Sequence, residues 1–459
     1  MVLRRSPASL SLTMAVLCAL ALSAVWWATG GPFAGKNAGS PSAPHATGNP
    51  AVSASGATDT AIANLQAQVQ SHPNAAALYA ALGDTYLQKA RETADPSWYT
   101  KADTVFGQAL SLDANDFDAL VGQGSLALSR HQFQQALDLG QRAQTLNPAN
   151  PDVYGVIGDA QIELGQYEAA VQTFQKMVDL RPDLQSYSRV SYARELYGED
   201  DAALQAMIKA ADEGAPGAEG TAWTMVQVGN LYFNRGDLDD AEHWYQLSIF
   251  NFNGYPHGYA GLANVLAARG KDGEGIALYQ KVTKVLPLPQ YVIALGDLQQ
   301  RAGRSGDAGR TYQLAVAEEQ LYTAAGVDAD LELAQFDADH GRNLDGVLAQ
   351  AQAAQQRRPS VKGDDVLAWV QFKTGDVQGA WATAQRALRL GTNDPVMLYH
   401  AGAIAYAAGD RATARKYLER VAVLNPHFSP LYEQDAARLL QELRAQPDAQ
   451  PATEAGHGA

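Results

Sequence analysis

The sequence predicts an all-α solenoid of about ten helix pairs. Glycines recur over most of the chain with gaps of 33, 34 or 38 residues, at Gly165, Gly198, Gly236, Gly270, Gly303, Gly341, Gly375 and Gly409. Prolines keep a 34-residue spacing at Pro148, Pro182 and Pro216. Apolar residues between these points recur every three or four positions, which is the period of one face of an α-helix. Such a fixed period is typical of a repeat protein whose units stack on one another.

One unit, residues 151–182, shows how each pair is built. Apolar residues such as Tyr154 precede Gly165, and others such as Phe174 follow it, on one helical face in each half. Gly165 is expected to adopt the left-handed conformation that ends the first helix, and Pro182 to end the second. The unit is therefore predicted to be two amphipathic helices joined by a tight turn.

The units resemble the tetratricopeptide repeat family. Its pattern of Leu-Gly, Tyr, Ala and an aromatic residue at fixed offsets is seen within 225–248 at Val228, Gly229, Tyr232, Ala241 and Tyr245. The resemblance implies a right-handed superhelix over residues 59–443 that closes with a capping helix from Ser429 to Leu443. Two gaps of 38 residues, near 215–220 and 321–327, predict longer loops or local breaks in the superhelix.

The N-terminus predicts export. Arg4 and Arg5 precede residues 10–28, which carry no charge, so residues 1–29 form either a cleaved signal peptide or an uncleaved signal anchor. The length of the apolar stretch, together with Trp26 and Trp27 near its far end, slightly favours the anchor. The protein is therefore expected to be periplasmic or extracellular, or to be attached to the cell membrane through residues 10–28.

The segments that flank the solenoid are expected to be disordered. Residues 30–58 are a linker of Gly, Pro, Ser and Ala, and residues 444–459 form a similar tail. The only cysteine, Cys18, lies in the export segment, so a disulfide scaffold is excluded.

Charge and motif content argue against several classes of function. The chain has 34 basic and 49 acidic residues, a formal net charge of −15, which disfavours nucleic-acid binding. No two of the nine histidines have the i, i+4 spacing of a zinc helix, and phosphate-loop and nucleophile-elbow motifs are lacking. We therefore predict no catalytic, cofactor-binding or metal-binding residues, and a protein that is not an enzyme.

The family resemblance implies that the residue after each Leu-Gly pair faces the inner groove of the superhelix. These positions are mostly polar, although any solvated helix face would look similar. Aromatic residues of the central units are further possible anchors. The candidate partner-binding residues are Asp159, Trp223, Asn230, Phe233, His257, Asn264 and Asp297.

Two functions are consistent with these features. The first is a protein–protein interaction scaffold or assembly factor that binds a peptide or protein in the concave groove, as the family resemblance implies. The alternative is an accessory protein or enzyme of cell-envelope polysaccharide processing or export, with acidic groove residues as acid and base.

Overall fold

The computed structural model describes residues 54–445, which form 22 α-helices and contain no strand. Residues 1–53, which include the predicted export segment, lie outside the described part, as does the tail from residue 446, so the predictions for them remain predictions. Residues 54–58, which were predicted to belong to the disordered linker, are instead the beginning of a helix. The helices are α1 Ala54–Ser71, α2 Ala76–Thr93, α3 Ser97–Leu112, α4 Phe117–Ser129, α5 Phe133–Leu146, α6 Asp152–Glu163, α7 Tyr167–Leu180, α8 Leu184–Leu196, α9 Asp200–Asp212, α10 Glu219–Asn234, α11 Leu238–Asn251, α12 Pro256–Ala268, α13 Asp272–Val285, α14 Pro289–Arg301, α15 Ser305–Ala324, α16 Asp330–Asp339, α17 Leu344–Arg357, α18 Val361–Lys373, α19 Val377–Ala387, α20 Pro395–Ala407, α21 Arg411–Leu424 and α22 Glu433–Ala445.

The helices pack in ten consecutive pairs, from α2 with α3 to α20 with α21, and this confirms the predicted architecture. Helix α1 packs on α2 at one end, and α22 packs on α21 at the other. The capping helix begins at Glu433 rather than at Ser429, because the preceding segment forms turns that bury Phe428.

Small residues in the first helix of a pair make room for an aromatic ring from the second. A Cβ atom added to Gly158 would lie 2.2 Å from the ring of Phe174, and one added to Gly229 would lie 2.6 Å from the ring of Tyr245. These rings are buried against the glycine backbone, which fixes the close approach of the two helices.

The even-numbered helices lie on the inside of the superhelical curve. The first helices of successive pairs contact one another from α2 to α12 and again from α16 to α22, as expected for the inner layer of a curved array. Contacts weaken between the pair α14/α15 and the pair α16/α17, where the second 38-residue gap lies. The local break predicted near 321–327 is therefore confirmed.

Successive turns of the superhelix also touch, along a line of contacts that we call the seam. The backbone N–H of Val361 donates to the hydroxyl of Tyr167 at 2.6 Å, and Arg358 forms an ion pair with Glu163 at 2.5 Å. Asn393 donates to Asp200 at 2.8 Å, and Asn425 donates to the carbonyl of Phe233 at 2.9 Å. The partners are 192 to 195 residues apart, so the seam joins one superhelical turn to the next.

Three of the repeated glycines lie in the seam, because a Cβ at Gly165, Gly198 or Gly236 would meet a carbonyl oxygen of the next turn. Gly165 has a φ of 70°, which confirms its predicted left-handed conformation, and a Cβ there would lie 2.5 Å from the carbonyl oxygen of Pro359. Gly198 has a φ of 68°, and its Cβ would lie 2.3 Å from the carbonyl oxygen of Gly391. These glycines therefore end a helix and also admit the backbone of the next turn.

Candidate functional site

Three of the predicted groove residues take part in one repeated hydrogen bond. In each case a tyrosine hydroxyl of the second helix donates to the side chain that follows the Leu-Gly position of the first helix, 15 residues earlier. The pairs are Tyr245 with Asn230 at 2.8 Å, Tyr279 with Asn264 at 2.6 Å and Tyr312 with Asp297 at 2.9 Å. All three acceptors are half-buried, and the hydrogen bond holds each in a fixed orientation on an inner helix.

Asp159 is a buried structural residue. Its two carboxylate oxygens accept hydrogen bonds from the Nε and Nη2 atoms of Arg189, at 2.9 and 2.8 Å. Arg189 is also buried, so this bidentate ion pair joins the inner helices α6 and α8. The hydrogen-bonding capacity of the Asp159 carboxylate is therefore used by contacts within the fold.

The prediction that Trp223 and Phe233 are groove anchors is wrong. Their exposed fractions are 6% and 4%, and both pack in a hydrophobic cluster that includes Tyr245 and Met207. Inner helix α10 is covered by α9, α11 and α12, so most of its apolar side chains are used in packing between pairs.

His257 is half-buried among tyrosine rings. Its Nδ1 lies 2.5 Å from the hydroxyl of Tyr291, and the ring centroids of Tyr255 and Tyr291 are 4.9 and 5.6 Å from its own. Burial lowers the pKa of His257 to about 4, so the imidazole is neutral near pH 7. The side chain can therefore contribute packing and hydrogen bonding to the groove, but not positive charge.

A cavity of about 120 Å³ lies in the break between α14 and α16, and we call it the break cavity. Asp297 is the one predicted site residue that lines it. Tyr322 of α15 and Phe336 of α16 supply aromatic walls, and Val327 comes from the loop between these helices. His131 reaches the cavity from the α4–α5 turn, which belongs to the preceding superhelical turn.

The break cavity is acidic. Four carboxyl side chains line it, and they belong to Asp297, Glu319, Glu332 and Asp339. Burial, and then the charge of Glu332, raise the pKa of Glu319 to about 8. Burial also raises the pKa of Asp339. Two nearby basic side chains contact these carboxylates: Arg358 donates to Glu332 at 2.7 Å, and His340 lies 2.9 Å from Asp297.

Sequence reasoning missed His131 and Glu319. No motif marks Glu319, but His131 lies 34 residues before Gly165 and therefore occupies the position of a turn glycine. Its φ of 57° confirms that it adopts the left-handed conformation of those glycines. This irregularity within the repeat was the available signal, because a non-glycine residue rarely adopts such a conformation without a structural or functional reason.

A second concavity, of about 420 Å³, lies near the C-terminal end of the solenoid, and we call it the aromatic pocket. Its lining includes Trp369, Tyr399 and Tyr432, whose rings contact one another. Phe372 and Tyr406 complete the aromatic surface and are only partly buried.

Neither a metal centre nor a membrane span is found in the part of the chain that the structure covers, residues 54–445. No group of three or more His, Cys, Asp or Glu side chains there is placed to hold a metal ion. None of the helices in this range combines the length and apolar character needed to cross a bilayer.

Ten helix pairs, each burying its apolar faces against its neighbours, define a helical repeat protein of the solenoid class. Family models for the tetratricopeptide repeat match residues 97–152, 127–194, 221–249 and 397–427. These stretches of the chain are tetratricopeptide repeats.

Similar proteins were also found by sequence and by structure. The chain is 28% identical over 310 residues to the cellulose synthase 2 operon protein C of Komagataeibacter xylinus. The match covers 65% of this chain and 21% of that protein, so the chain spans about a fifth of the length of its relative. A tetratricopeptide repeat protein of Parabacteroides merdae is 15% identical, with 57% of this chain and 93% of that chain covered and a TM-score of 0.39. A human IFIT1 dimer with m7Gppp-AAAA is 15% identical, with 72% and 77% covered and a TM-score of 0.46.

Proposed function

We propose that this protein is a protein–protein interaction scaffold that holds a peptide or protein partner in the groove lined by its even-numbered helices. The observation that carries the proposal is the inner layer of first helices, on which the repeated tyrosine bonds hold polar side chains in fixed orientations. Preorganised polar groups suit the recognition of a partner, because little side-chain entropy is lost when it binds.

The same contacts favour a scaffold over an enzyme. A general acid or base must reach the atom whose proton it transfers. Asp159 is occupied by Arg189, and Asp297 accepts hydrogen bonds from Tyr312 and lies beside His340. We therefore propose that these acidic side chains stabilise the groove rather than carry out catalysis.

The scaffold proposal is tested by crosslinking the full-length protein in its own cells and purifying it under denaturing conditions. We expect one or a few proteins to be recovered in amounts comparable to the scaffold itself. A control in which the same protein is purified without crosslinker identifies contaminants. Recovery of no protein above that control would refute the proposal.

An accessory role in polysaccharide processing or export is a second candidate. It is favoured by the name of the Komagataeibacter relative and by the partly buried rings of Phe372 and Tyr406 in the aromatic pocket, because aromatic rings offer flat apolar surfaces for stacking. Cello-oligosaccharides should then change the tryptophan fluorescence of the protein in a saturable way, because Trp369 contacts other rings of the pocket, and Tyr406→Ala should weaken this binding. If saturating oligosaccharide leaves the fluorescence unchanged, this candidate is rejected.

We also propose that residues 10–28 direct export, either as part of a cleaved signal peptide or as a membrane anchor. The uncharged apolar stretch after Arg4 and Arg5 supports this proposal, and the net charge of −15 supports a partner that is not a nucleic acid. Cell fractionation, with mass measurement of the mature chain, distinguishes a cleaved from an anchored protein. Recovery of the uncleaved chain in the cytoplasm would refute export.

A further inference from the structure

The break cavity is bordered by a strained histidine that is fixed across the seam. The left-handed conformation of His131 costs on the order of 1–2 kcal/mol for a non-glycine residue. Its Nδ1 lies 2.9 Å from the carbonyl oxygen of Asp328, and the backbone N–H of Asp328 donates to the carbonyl of Arg130 at 2.9 Å. Because a carbonyl only accepts, Nδ1 carries the proton of this hydrogen bond.

The other ring nitrogen of His131 is an acceptor without a donor. The side chain is 3% exposed, and no group in residues 54–445 bonds to its Nε2. In the neutral ring with a proton on Nδ1, Nε2 accepts a hydrogen bond. The Oε1 of Gln290 and the Oε2 of Glu332 are also buried without a hydrogen-bond partner in the described chain. All three residues line the break cavity.

Glu319 adds a fourth group that can accept a hydrogen bond. The residue is 9% exposed, and its side chain lines the same cavity. A buried acceptor that lacks a donor costs about 1–3 kcal/mol, so a ligand that supplied donors would recover several such costs at once. The buried atoms of His131, Gln290 and Glu332 that lack a partner are therefore all acceptors, and they call for a ligand rich in donors.

The charge and shape of the break cavity further limit the class of ligand that fits it. Four carboxyl groups line the cavity, whereas Arg358, which contacts Glu332, is also paired with Glu163. Apolar side chains, including Ile293, Val327 and Phe336, form much of the rest of the wall. A cationic donor at the end of an aliphatic stem matches both the acceptors and the walls.

We propose that the break cavity binds the ammonium or guanidinium end of a lysine or arginine side chain that belongs to the protein partner. This proposal rests on the scaffold function, and it specifies the partner's chemistry: a basic side chain inserted between α14 and α16. The four-residue insertion near 321–327 and the histidine at a glycine position together form the site.

The first experiment compares two peptides on the full-length protein by titration calorimetry. Both are short, neutral at their ends and identical except at one position, where one carries lysine and the other norleucine. Norleucine keeps the aliphatic stem and lacks the ammonium group. We expect the lysine peptide to bind about 10- to 100-fold more tightly, the range for hydrogen bonds to a charged group. Equal affinities would overturn the proposal.

Variants of the cavity locate the site. Glu319→Gln keeps the shape and removes the ionisable group, and we expect it to weaken the lysine peptide about tenfold. Glu318→Gln is the matched control, because Glu318 is adjacent in the chain but does not line the cavity. His131→Gly suits the left-handed backbone, so the fold should persist while the affinity falls. Equal effects of the Glu318 and Glu319 changes would contradict the assignment.

Two further experiments distinguish this proposal from its alternatives. Putrescine presents the same ammonium on a free diamine, and if it bound as tightly as the lysine peptide, the assignment to a partner's side chain would be overturned. Cellular crosslinking of Glu319→Gln distinguishes the two proposals. If Glu319→Gln recovered as much partner as the wild type, the role of the break cavity would be refuted and the scaffold proposal would stand. If the lysine peptide bound but no partner were recovered in cells, only the scaffold proposal would be refuted.

Discussion

Substituting alanine for Gly165 separates the cost of backbone strain from the cost of disturbing the seam. Gly165 and Gly270 have nearly the same φ, 70° and 73°, but a Cβ at Gly165 meets the carbonyl oxygen of Pro359 at 2.5 Å, whereas a Cβ at Gly270 meets nothing within 4 Å. Left-handed alanine costs about 1–2 kcal/mol at either position. Overpacking adds about 1–3 kcal/mol at Gly165 alone, because the contacted atom belongs to the backbone and cannot rotate away.

We therefore expect Gly165→Ala to lower the free energy of unfolding by about 2–5 kcal/mol and Gly270→Ala by about 1–2 kcal/mol. Urea unfolding followed by circular dichroism measures both values. Hydrogen exchange supplies a local readout at the N–H of Val361, which donates to Tyr167 across the seam. This amide should exchange faster in Gly165→Ala only. Equal stability losses and unchanged exchange at Val361 would refute the seam.

Three further predictions follow from buried side chains. Burial raises the pKa of Glu319 from 4.5 to about 8, so the wild-type protein loses stability as the pH rises through that interval. The free energy of unfolding of Glu319→Gln, relative to that of the wild type, should therefore rise by about 1.4 kcal/mol for each pH unit between 4.5 and 8. Urea unfolding at several pH values measures this difference, and a difference that does not change with pH would contradict the prediction. Arg358→Met leaves the buried carboxylate of Glu163 unpaired and should cost about 3–5 kcal/mol in the same assay, whereas a loss below 1 kcal/mol would mean that the pair is not formed. Tyr279→Phe removes the hydrogen bond to Asn264 and should lower the free energy of unfolding by about 1 kcal/mol, and no change would show that this bond adds nothing to stability.

The fold could be predicted because its determinants are local and repeated. The left-handed turn at Gly165 and the close contact of Gly158 with Phe174 each depend on residues within one 34-residue unit. The break lies at one of the two 38-residue gaps between glycines, whereas at the other, near 215–220, α9 and α10 remain packed across a longer loop. Each of these features is a pattern in the sequence, so the repeat, the pairing and the interruption were all predicted correctly.

The seam could not be predicted in the same way. It joins residues 192 to 195 positions apart, and their meeting depends on the small rotation accumulated over many units. In the sequence, Asn393 and Arg358 look like ordinary polar surface residues. Only the coiling of the whole array brings them to the turns that follow α8 and α6.

The candidate site was predicted only in part. The inner positions of Asn264 and Asp297 followed from the family pattern, but the tyrosine bonds that hold them became visible only in the structure. Trp223 and Phe233 were misassigned because an aromatic residue at helical spacing looks the same whether it faces a groove or a core. His131 was detectable as a histidine at a glycine position, yet its role depends on a loop that lies one superhelical turn away.

Site-specific photocrosslinking in cells tests the central claim most directly. One variant carries the photoreactive residue at Gln335, which lines the break cavity on the inner helix α16, and the other carries it at Phe250, which is 87% exposed on the second helix α11. The account predicts a discrete protein adduct from position 335 and none from position 250. Adducts of equal yield from both positions, or from position 250 alone, would contradict the claim that the inner groove binds the partner.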